Sequence, residues 1–167
     1  MGFLIFGRPN VEKLDAKGDI EGLVRAAKYK KDAGVREAAR AALERRLDFF
    51  VVNLASKNLR RIVLSREALK LIGEPAVMLL ADVLRKGDLG RRCDAAFALG
   101  EVGLPSGVPA LERALRDPEA PVRLLAVRSL ARIDDERAPA LIERACRDRD
   151  ESVRHQAGKA RRRLASR

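Results

Sequence analysis

The chain has 167 residues and a formal net charge of +11, with 47% hydrophobic and 35% charged residues. Its length suits one domain, and a composition with no Trp and one Tyr predicts a core of Leu, Val, Ile and Ala on close-packed helices. The longest apolar run near the start, residues 3–6, is too short for a membrane span or a secretory signal. We therefore expect a cytoplasmic protein that does not bind or span a membrane and whose two cysteines are reduced.

The first predicted elements are a leader, residues 1–18, and a helical pair that follows it. Ile20, Leu23 and Ala27 fall on one face of a helix because three or four residues separate them. Residues 32–34 are Asp, Ala and Gly, which favour a turn, and a second apolar-periodic stretch comes after them. This part of the chain predicts one helix-turn-helix unit.

The next stretch is irregular. Residues 35–56 contain no Gly or Pro, so the pattern fits one long helix. It also fits two helices joined by a tight bend near residues 46–48. The sequence leaves both alternatives open.

From residue 61 onward the sequence repeats with a period of 31 residues. Arg61, Arg92, Arg123 and Arg154 follow this spacing. The apolar residues that recur with them include Ala68, Leu99 and Leu130. A fixed period of this length is typical of a solenoid, in which each unit buries its apolar face only by stacking on its neighbours.

One unit shows the repeat most clearly. Val108, Leu111 and Leu115 lie on one face of its first helix, which Pro118 ends. A second helix follows over residues 122–133. The repeat therefore predicts pairs of helices and no strands.

The second half of this unit reads Asp-Pro-Glu-Ala-Pro-Val-Arg-Leu-Leu-Ala-Val-Arg-Ser-Leu-Ala-Arg-Ile over residues 117–133, with shorter copies at 90–92 and 152–154. This pattern resembles the HEAT-repeat family, specifically the prokaryotic HEAT-like repeats of the phycobilisome-lyase type, over about residues 19–164. The resemblance implies an all-α fold, a right-handed α-α superhelix of about five helical pairs. The implied units are residues 19–46, 47–73, 74–103, 104–134 and 135–164, and residues 159–167 would form a basic cap.

The repeated arginines have two interpretations. They could form a binding ladder, or they could brace the fold, as the equivalent Arg usually does in such families through acceptors of an adjacent unit. We favour bracing, because Asp32, Asp88, Asp117 and Asp148 precede the copies and a bidentate bond to a carboxylate rewards Arg over Lys. The arginines predicted to be structural are Arg36, Arg61, Arg92, Arg123 and Arg154.

The sequence shows no set of residues suited to catalysis. His155 is the single histidine, and no phosphate-binding Gly-Lys-Ser/Thr loop, Gly-x-Gly-x-x-Gly fingerprint or Gly-x-Ser-x-Gly motif is present. Cys93 lies beside two arginines, which would lower its thiol pKa, although we expect an inert thiol. We therefore predict a non-enzyme that needs no cofactor and binds no metal.

The second helices of the units would line the concave face, as the resemblance implies. On a helical wheel six of the twelve positions opposite the core are basic, and Phe97 and Leu125 are among the apolar ones. The residues predicted to bind a partner there are Arg66, Lys70, Phe97, Leu125, Arg128, Arg132, Lys159 and Arg163.

This groove supports three functional hypotheses. The first is a scaffold or adaptor that binds an acidic, partly apolar segment of another protein, with Phe97 and Leu125 as anchors. The second is nucleic-acid binding through the basic residues. Asp94 and Glu101 interrupt this basic stripe, and aromatic side chains that could stack on bases are nearly absent. The third is a lyase-associated or enzyme accessory subunit. We favour the scaffold; the partner and the oligomeric state are not encoded in any motif.

Overall fold

The computed structural model describes residues 7–54 and 56–166, and every regular element within these ranges is helical. The predicted apolar run at residues 3–6 lies outside them. The helices are α1 (Val11–Ala16), α2 (Ile20–Ala26), α3 (Ala33–Glu44), α4 (Leu47–Leu54), α5 (Leu59–Ile72), α6 (Glu74–Lys86), α7 (Leu89–Val102), α8 (Val108–Ala114), α9 (Ala120–Leu130), α10 (Ala138–Ala145) and α11 (Glu151–Ala165). A short 3-10 turn, Pro105–Gly107, precedes α8. None of these helices is long and apolar enough to cross a membrane.

Behind α1 the helices pack in consecutive pairs. The pairs are α2 with α3, α4 with α5, α6 with α7, α8 with α9 and α10 with α11. Each pair packs against the next, so the apolar faces form one continuous core. The prediction of an all-α, α-α superhelix is confirmed.

Local capping sets where many helices begin. Short polar side chains accept hydrogen bonds from free backbone N–H groups in the first turn. They belong to Asn10, Asp19, Asp32, Asn58, Asp88 and Asp150. Helices α6, α8, α9 and α10 instead carry Pro in the first turn, where its missing N–H costs nothing. Gly103, with a φ of 74°, ends α7 in the left-handed conformation that glycine adopts readily.

The irregular stretch forms two helices. α3 ends at Glu44 and α4 begins at Leu47, so the bend alternative is correct. Arg46 holds the bend: its guanidinium donates to the Ala42 carbonyl at 2.8 Å and to the Asp15 carbonyl at 3.1 Å, and it pairs with the Asp15 carboxylate. The contacts between Arg46 and α1 therefore stabilise a bend that no Gly or Pro in the sequence marks.

The repeat-aligned apolar residues form the core. Leu99, Leu111 and Leu130 are all buried, as the 31-residue register requires. Phe50, in the irregular unit, is buried as well. Burying a Leu or Phe side chain contributes about 1.5–3 kcal/mol each. The core is therefore continuous through the irregular unit.

The second helices of the pairs form the inner layer of the stack. α5, α7, α9 and α11 lie side by side, and α7, α9 and α11 contact one another more extensively than the first helices do. Between α7 and α9 the Ser129 hydroxyl donates to the Ala96 carbonyl at 2.8 Å. A Cβ on Gly100 would lie 2.4 Å from that hydroxyl oxygen, so the close approach requires glycine there. The second helices therefore form the more tightly packed layer.

Two of the repeated arginines bridge consecutive units. The Arg92 guanidinium donates to both carboxylate oxygens of Asp117, at 2.9 and 3.1 Å, and Arg123 does the same to Asp148, at 2.9 Å each. Each also donates to carbonyl oxygens of the turn before its own helix. These contacts match the bracing interpretation, and Arg123 is only 4% exposed. Burial alone would raise the pKa of Asp148, but hydrogen bonds from Arg123 and the Asp150 N–H outweigh it and hold that pKa below its ordinary value.

The other three repeated arginines differ from this pattern. Arg36 and Arg154 donate only to carbonyls of their own turns, at 2.9–3.3 Å. Arg61 is exposed, and its side chain makes no hydrogen bond or ion pair with the described residues. The physical reason is a missing acceptor. Asp117 follows Arg92 by 25 residues, whereas the residue 25 positions after Arg61 is Lys86, which cannot accept a hydrogen bond from it. The expectation that Arg61 braces the fold is therefore not met in this structure.

We predict that Leu130→Ala lowers the free energy of unfolding by about 2–5 kcal/mol, because it leaves a cavity in a fully packed core. Chemical denaturation measured by circular dichroism checks this. A change smaller than about 0.5 kcal/mol would contradict the repeat register that places Leu130 in the core.

We predict that Arg123→Ala lowers the free energy of unfolding by about 3–5 kcal/mol, because it leaves the Asp148 carboxylate and two turn carbonyls without their donor. The matched control is Arg61→Ala, which removes a repeat-equivalent but exposed Arg and should change stability by less than about 0.5 kcal/mol. Thermal melts of both variants test the pair. If the free energy of unfolding falls equally in the two variants, the contact between Arg123 and Asp148 does not stabilise the stack.

Candidate protein-binding groove

The predicted partner-binding residues lie on α5, α7, α9 and α11, the inner layer, except Arg132, which lies in the turn that follows α9. Because residues 31 positions apart occupy equivalent places on successive second helices, the side chains form three rows across the four helices. The first row is Val63, Asp94, Leu125 and Gln156; the second is Arg66, Phe97, Arg128 and Lys159; the third is Lys70, Glu101, Arg132 and Arg163. We call this surface the inner groove.

Glu101 is the buried centre of the inner groove. Its side chain is 1% exposed and lies between the guanidinium groups of Arg66 and Arg132, which are 38% and 36% exposed. Arg132 Nη1 is 2.7 Å from Glu101 Oε1, and Arg66 Nε forms an ion pair with Oε2. This arrangement, the Glu101 clamp, joins three successive inner helices. A buried carboxylate in this position is costly unless it is paired, and here it is paired twice.

The clamp changes the role of two predicted binding residues. Arg66 and Arg132 are predicted to bind a partner, but each directs part of its guanidinium to Glu101. In the sequence, Glu101 stands out only as an interruption of the basic stripe. The signal that could have revealed the clamp was the register, because Glu101 stands where Lys70 and Arg132 stand in the neighbouring helices.

The remaining basic residues of the inner groove are free. Lys70, Arg128, Lys159 and Arg163 are exposed, and their side chains make no ion pair or hydrogen bond within residues 7–54 and 56–166. Three of the four lie on α9 and α11. These two helices therefore present most of the unpaired positive charge of the groove.

Apolar side chains accompany these cations. Phe97 and Leu125 are half-buried and pack against the core, so each offers one face to the groove. Val63 is 50% exposed and Leu59, one turn earlier in α5, is 72% exposed. A depression of about 520 Å³ lies beside these two residues, between α2 and α5. The apolar surface is therefore concentrated toward α5 and α7.

The cysteine expected to be influenced by arginines lies in a different environment. Burial, and next the charge of Asp94, raise the pKa of Cys93 above its ordinary value. Arg92 opposes this shift only weakly, because its guanidinium is engaged with Asp117. The expectation of a lowered pKa is wrong. Among the described residues, no group of three His, Cys, Asp or Glu side chains is arranged to hold a metal ion.

We predict that Glu101→Gln lowers the free energy of unfolding by about 1–3 kcal/mol, because the two guanidinium groups lose the carboxylate that forms an ion pair with each of them. Asp94→Asn is the control, since Asp94 lies on the same helix and pairs with no cation of the described chain. It should not destabilise the protein. Denaturation curves for both variants decide the matter, and an unchanged Glu101→Gln would show that the clamp adds nothing to the fold.

Comparison with known proteins agrees with this architecture. The family model described as HEAT repeats matches residues 77–161. No curated protein matches the chain. Human deoxyhypusine hydroxylase in complex with glycerol is similar in structure, with a TM-score of 0.56 and 22% identity over 94% of this chain and 67% of that one.

Two proteins of artificial origin are also similar. An engineered protein has a TM-score of 0.49 and 19% identity over 93% of this chain and 83% of its own. A designed armadillo repeat protein in complex with the peptide (KR)4 has a TM-score of 0.44 and 15% identity over 95% and 87%. The family match covers half of the chain and coincides with the regular helical pairs, and the chain therefore belongs to the HEAT repeat family.

Proposed function

We propose that this protein is a non-catalytic interaction scaffold whose inner groove binds an acidic, partly apolar segment of another protein. The observation that carries the proposal is the set of free cations, Arg128, Lys159 and Arg163, beside the half-buried apolar faces of Phe97 and Leu125. Arg and aromatic side chains at the centre of a concave surface are typical of interaction hot spots. The HEAT fold is itself typical of protein-interaction scaffolds.

The Glu101 clamp favours a protein partner over nucleic acid. Phosphate binding depends on the number of cations that can release counterions, and the clamp commits part of Arg66 and Arg132 to an internal carboxylate. Phe97 is the single aromatic residue in the three rows, whereas single-stranded nucleic acid is held by several stacked aromatic side chains. Nucleic acid is therefore the second candidate. The narrower phycobilisome-lyase type, and a role as an enzyme accessory subunit, stay predictions.

The proposal predicts a specific pattern of salt dependence and mutation. A partner captured from lysate of the source organism, with and without nuclease treatment, is titrated against the wild type, Phe97→Ala, and the double variant Arg128→Ala with Lys159→Ala. Apolar anchors should make Phe97→Ala weaken binding about tenfold or more, and affinity should fall only moderately with salt. Arg132 is left intact, because its removal would also disturb the clamp.

A different result would reject the protein-segment proposal. If Phe97→Ala has no effect while the double variant abolishes binding, and if the logarithm of the affinity falls by about 0.9 per phosphate against the logarithm of salt, nucleic acid is the ligand. The charge-matched control is Arg113→Ala with Arg147→Ala, two exposed arginines outside the three rows, which should leave binding unchanged.

A further inference from the structure

We infer that the segment bound in the inner groove carries its apolar and acidic residues in two separate blocks, with the apolar block over α5 and α7 and the acidic block over α9 and α11. This inference rests on the proposed function and specifies the chemistry of the partner. Its basis is an uneven distribution of apolar surface and free charge along the groove.

The α5 end of the inner groove is apolar and concave. The depression between α2 and α5 has a volume of about 520 Å³, which can hold several side chains. Its lining is half apolar, Val24, Leu59, Val63 and Leu64, and half charged, Glu21, Arg25, Arg60 and Glu67. Leu59 and Val63 expose more apolar surface than Phe97 or Leu125 does. Exposed apolar side chains around a concavity mark a surface that gains free energy when an apolar partner covers it.

Part of the positive charge at this end is already neutralised. Arg60 Nε donates to Glu21 Oε1 at 2.7 Å, and Lys28 pairs with Glu67, so two cations near the depression face carboxylates of this chain. Arg25, which lines the depression, and Lys70, farther along α5, have no such partner in the described part of the chain. Apolar side chains therefore outnumber the unpaired cations at this end.

The Glu101 clamp reduces the positive charge in the middle of the groove. Arg66 and Arg132 would otherwise extend the positive charge from α5 to α9. With Glu101 between them, the clamp as a whole carries one net positive charge spread over two guanidinium groups. An acidic residue over α7 would approach the buried carboxylate as well as the two arginines.

The α11 end of the groove holds free positive charge. Arg128 on α9 and Lys159 and Arg163 on α11 are exposed and have no acidic partner in residues 7–54 and 56–166. Leu125 borders this cluster and connects it to the apolar half. Carboxylates of a partner gain most here, because the cations have not been compensated within the fold.

The helix spacing sets the length of the segment. Axes of packed helices lie about 8–10 Å apart, and an extended chain advances about 3.3 Å per residue, so each inner helix spans about three residues of a partner that crosses the groove. Crossing from α5 to α11 takes about eight or nine residues. The apolar block would cover the first half of this path and the acidic block the second.

A displayed library of random peptides, each about twelve residues long, tests the inference with the full chain as target. Wild-type protein should enrich peptides in which apolar and acidic residues are segregated. A selected peptide and a rearranged peptide of identical composition, with the two residue types interleaved, are then compared by fluorescence polarisation. The segregated peptide should bind about tenfold more tightly or better.

Two variants locate the blocks. Arg128→Ala with Lys159→Ala should abolish enrichment of the acidic block and retain that of the apolar block, whereas Val63→Asp should do the reverse. Both changes are at exposed positions, and melting curves establish that each variant is folded. Arg113→Ala with Arg147→Ala is the charge-matched control and should enrich the same peptides as the wild type.

The possible outcomes separate the inference from the proposed function. Enrichment of interleaved peptides, equal affinity of the two peptides, or an unchanged selection on Val63→Asp would overturn the two-block inference while leaving a peptide-binding groove. If no enriched peptide binds at the groove residues, the proposed function itself is overturned. Segregated peptides that respond to both variants as stated would support both.

Discussion

The bond from an arginine at the start of one second helix to an aspartate in the turn of the next unit sets how the units stack. Arg92 with Asp117 and Arg123 with Asp148 are each 25 residues apart and use the same two parallel N–H to carboxylate contacts. The fork geometry of the guanidinium fixes both distance and orientation, which a Lys at the same position would not do. Units joined in this way repeat the same rotation, and the second helices consequently form one surface.

The bond is missing from the unit that follows the irregular stretch at residues 35–56. Arg61 has no acidic residue at the equivalent offset, although it keeps the 31-residue spacing to Arg92. There, α4 packs on α5 and also against α7, and Arg46 with Asp15 ties the preceding bend to α1. Phe50, fully buried in α4, fills the core at this point. Bulk packing and a side-chain bridge to the N-terminal helix thus replace the regular bridge between units.

The regular part of the fold was predictable from sequence because each core position is repeated. Leu99, Leu111 and Leu130 are identifiable from the period alone, and their burial follows from helix geometry. The irregular pair was not predictable, because the bend between α3 and α4 depends on contacts of Arg46 with Ala42 and with Asp15 in a different helix. Sequence analysis also missed the clamp for the same kind of reason: a helical wheel shows which face a residue occupies, but it does not show that Arg66 and Arg132 converge on Glu101.

The inner groove therefore contains two kinds of arginine that a sequence cannot distinguish. Arg66 and Arg132 couple the fold to the surface, because each holds a buried carboxylate with one edge and reaches solvent with the other. Arg128 has no such internal partner among the described residues and is available to a ligand with all its donors. Since an Arg to Ala change in the clamp removes both stability and charge, its effect on binding would combine two causes. The same change at Arg128 removes charge alone, so recognition in this groove can be separated from folding only through the cations that the fold does not use.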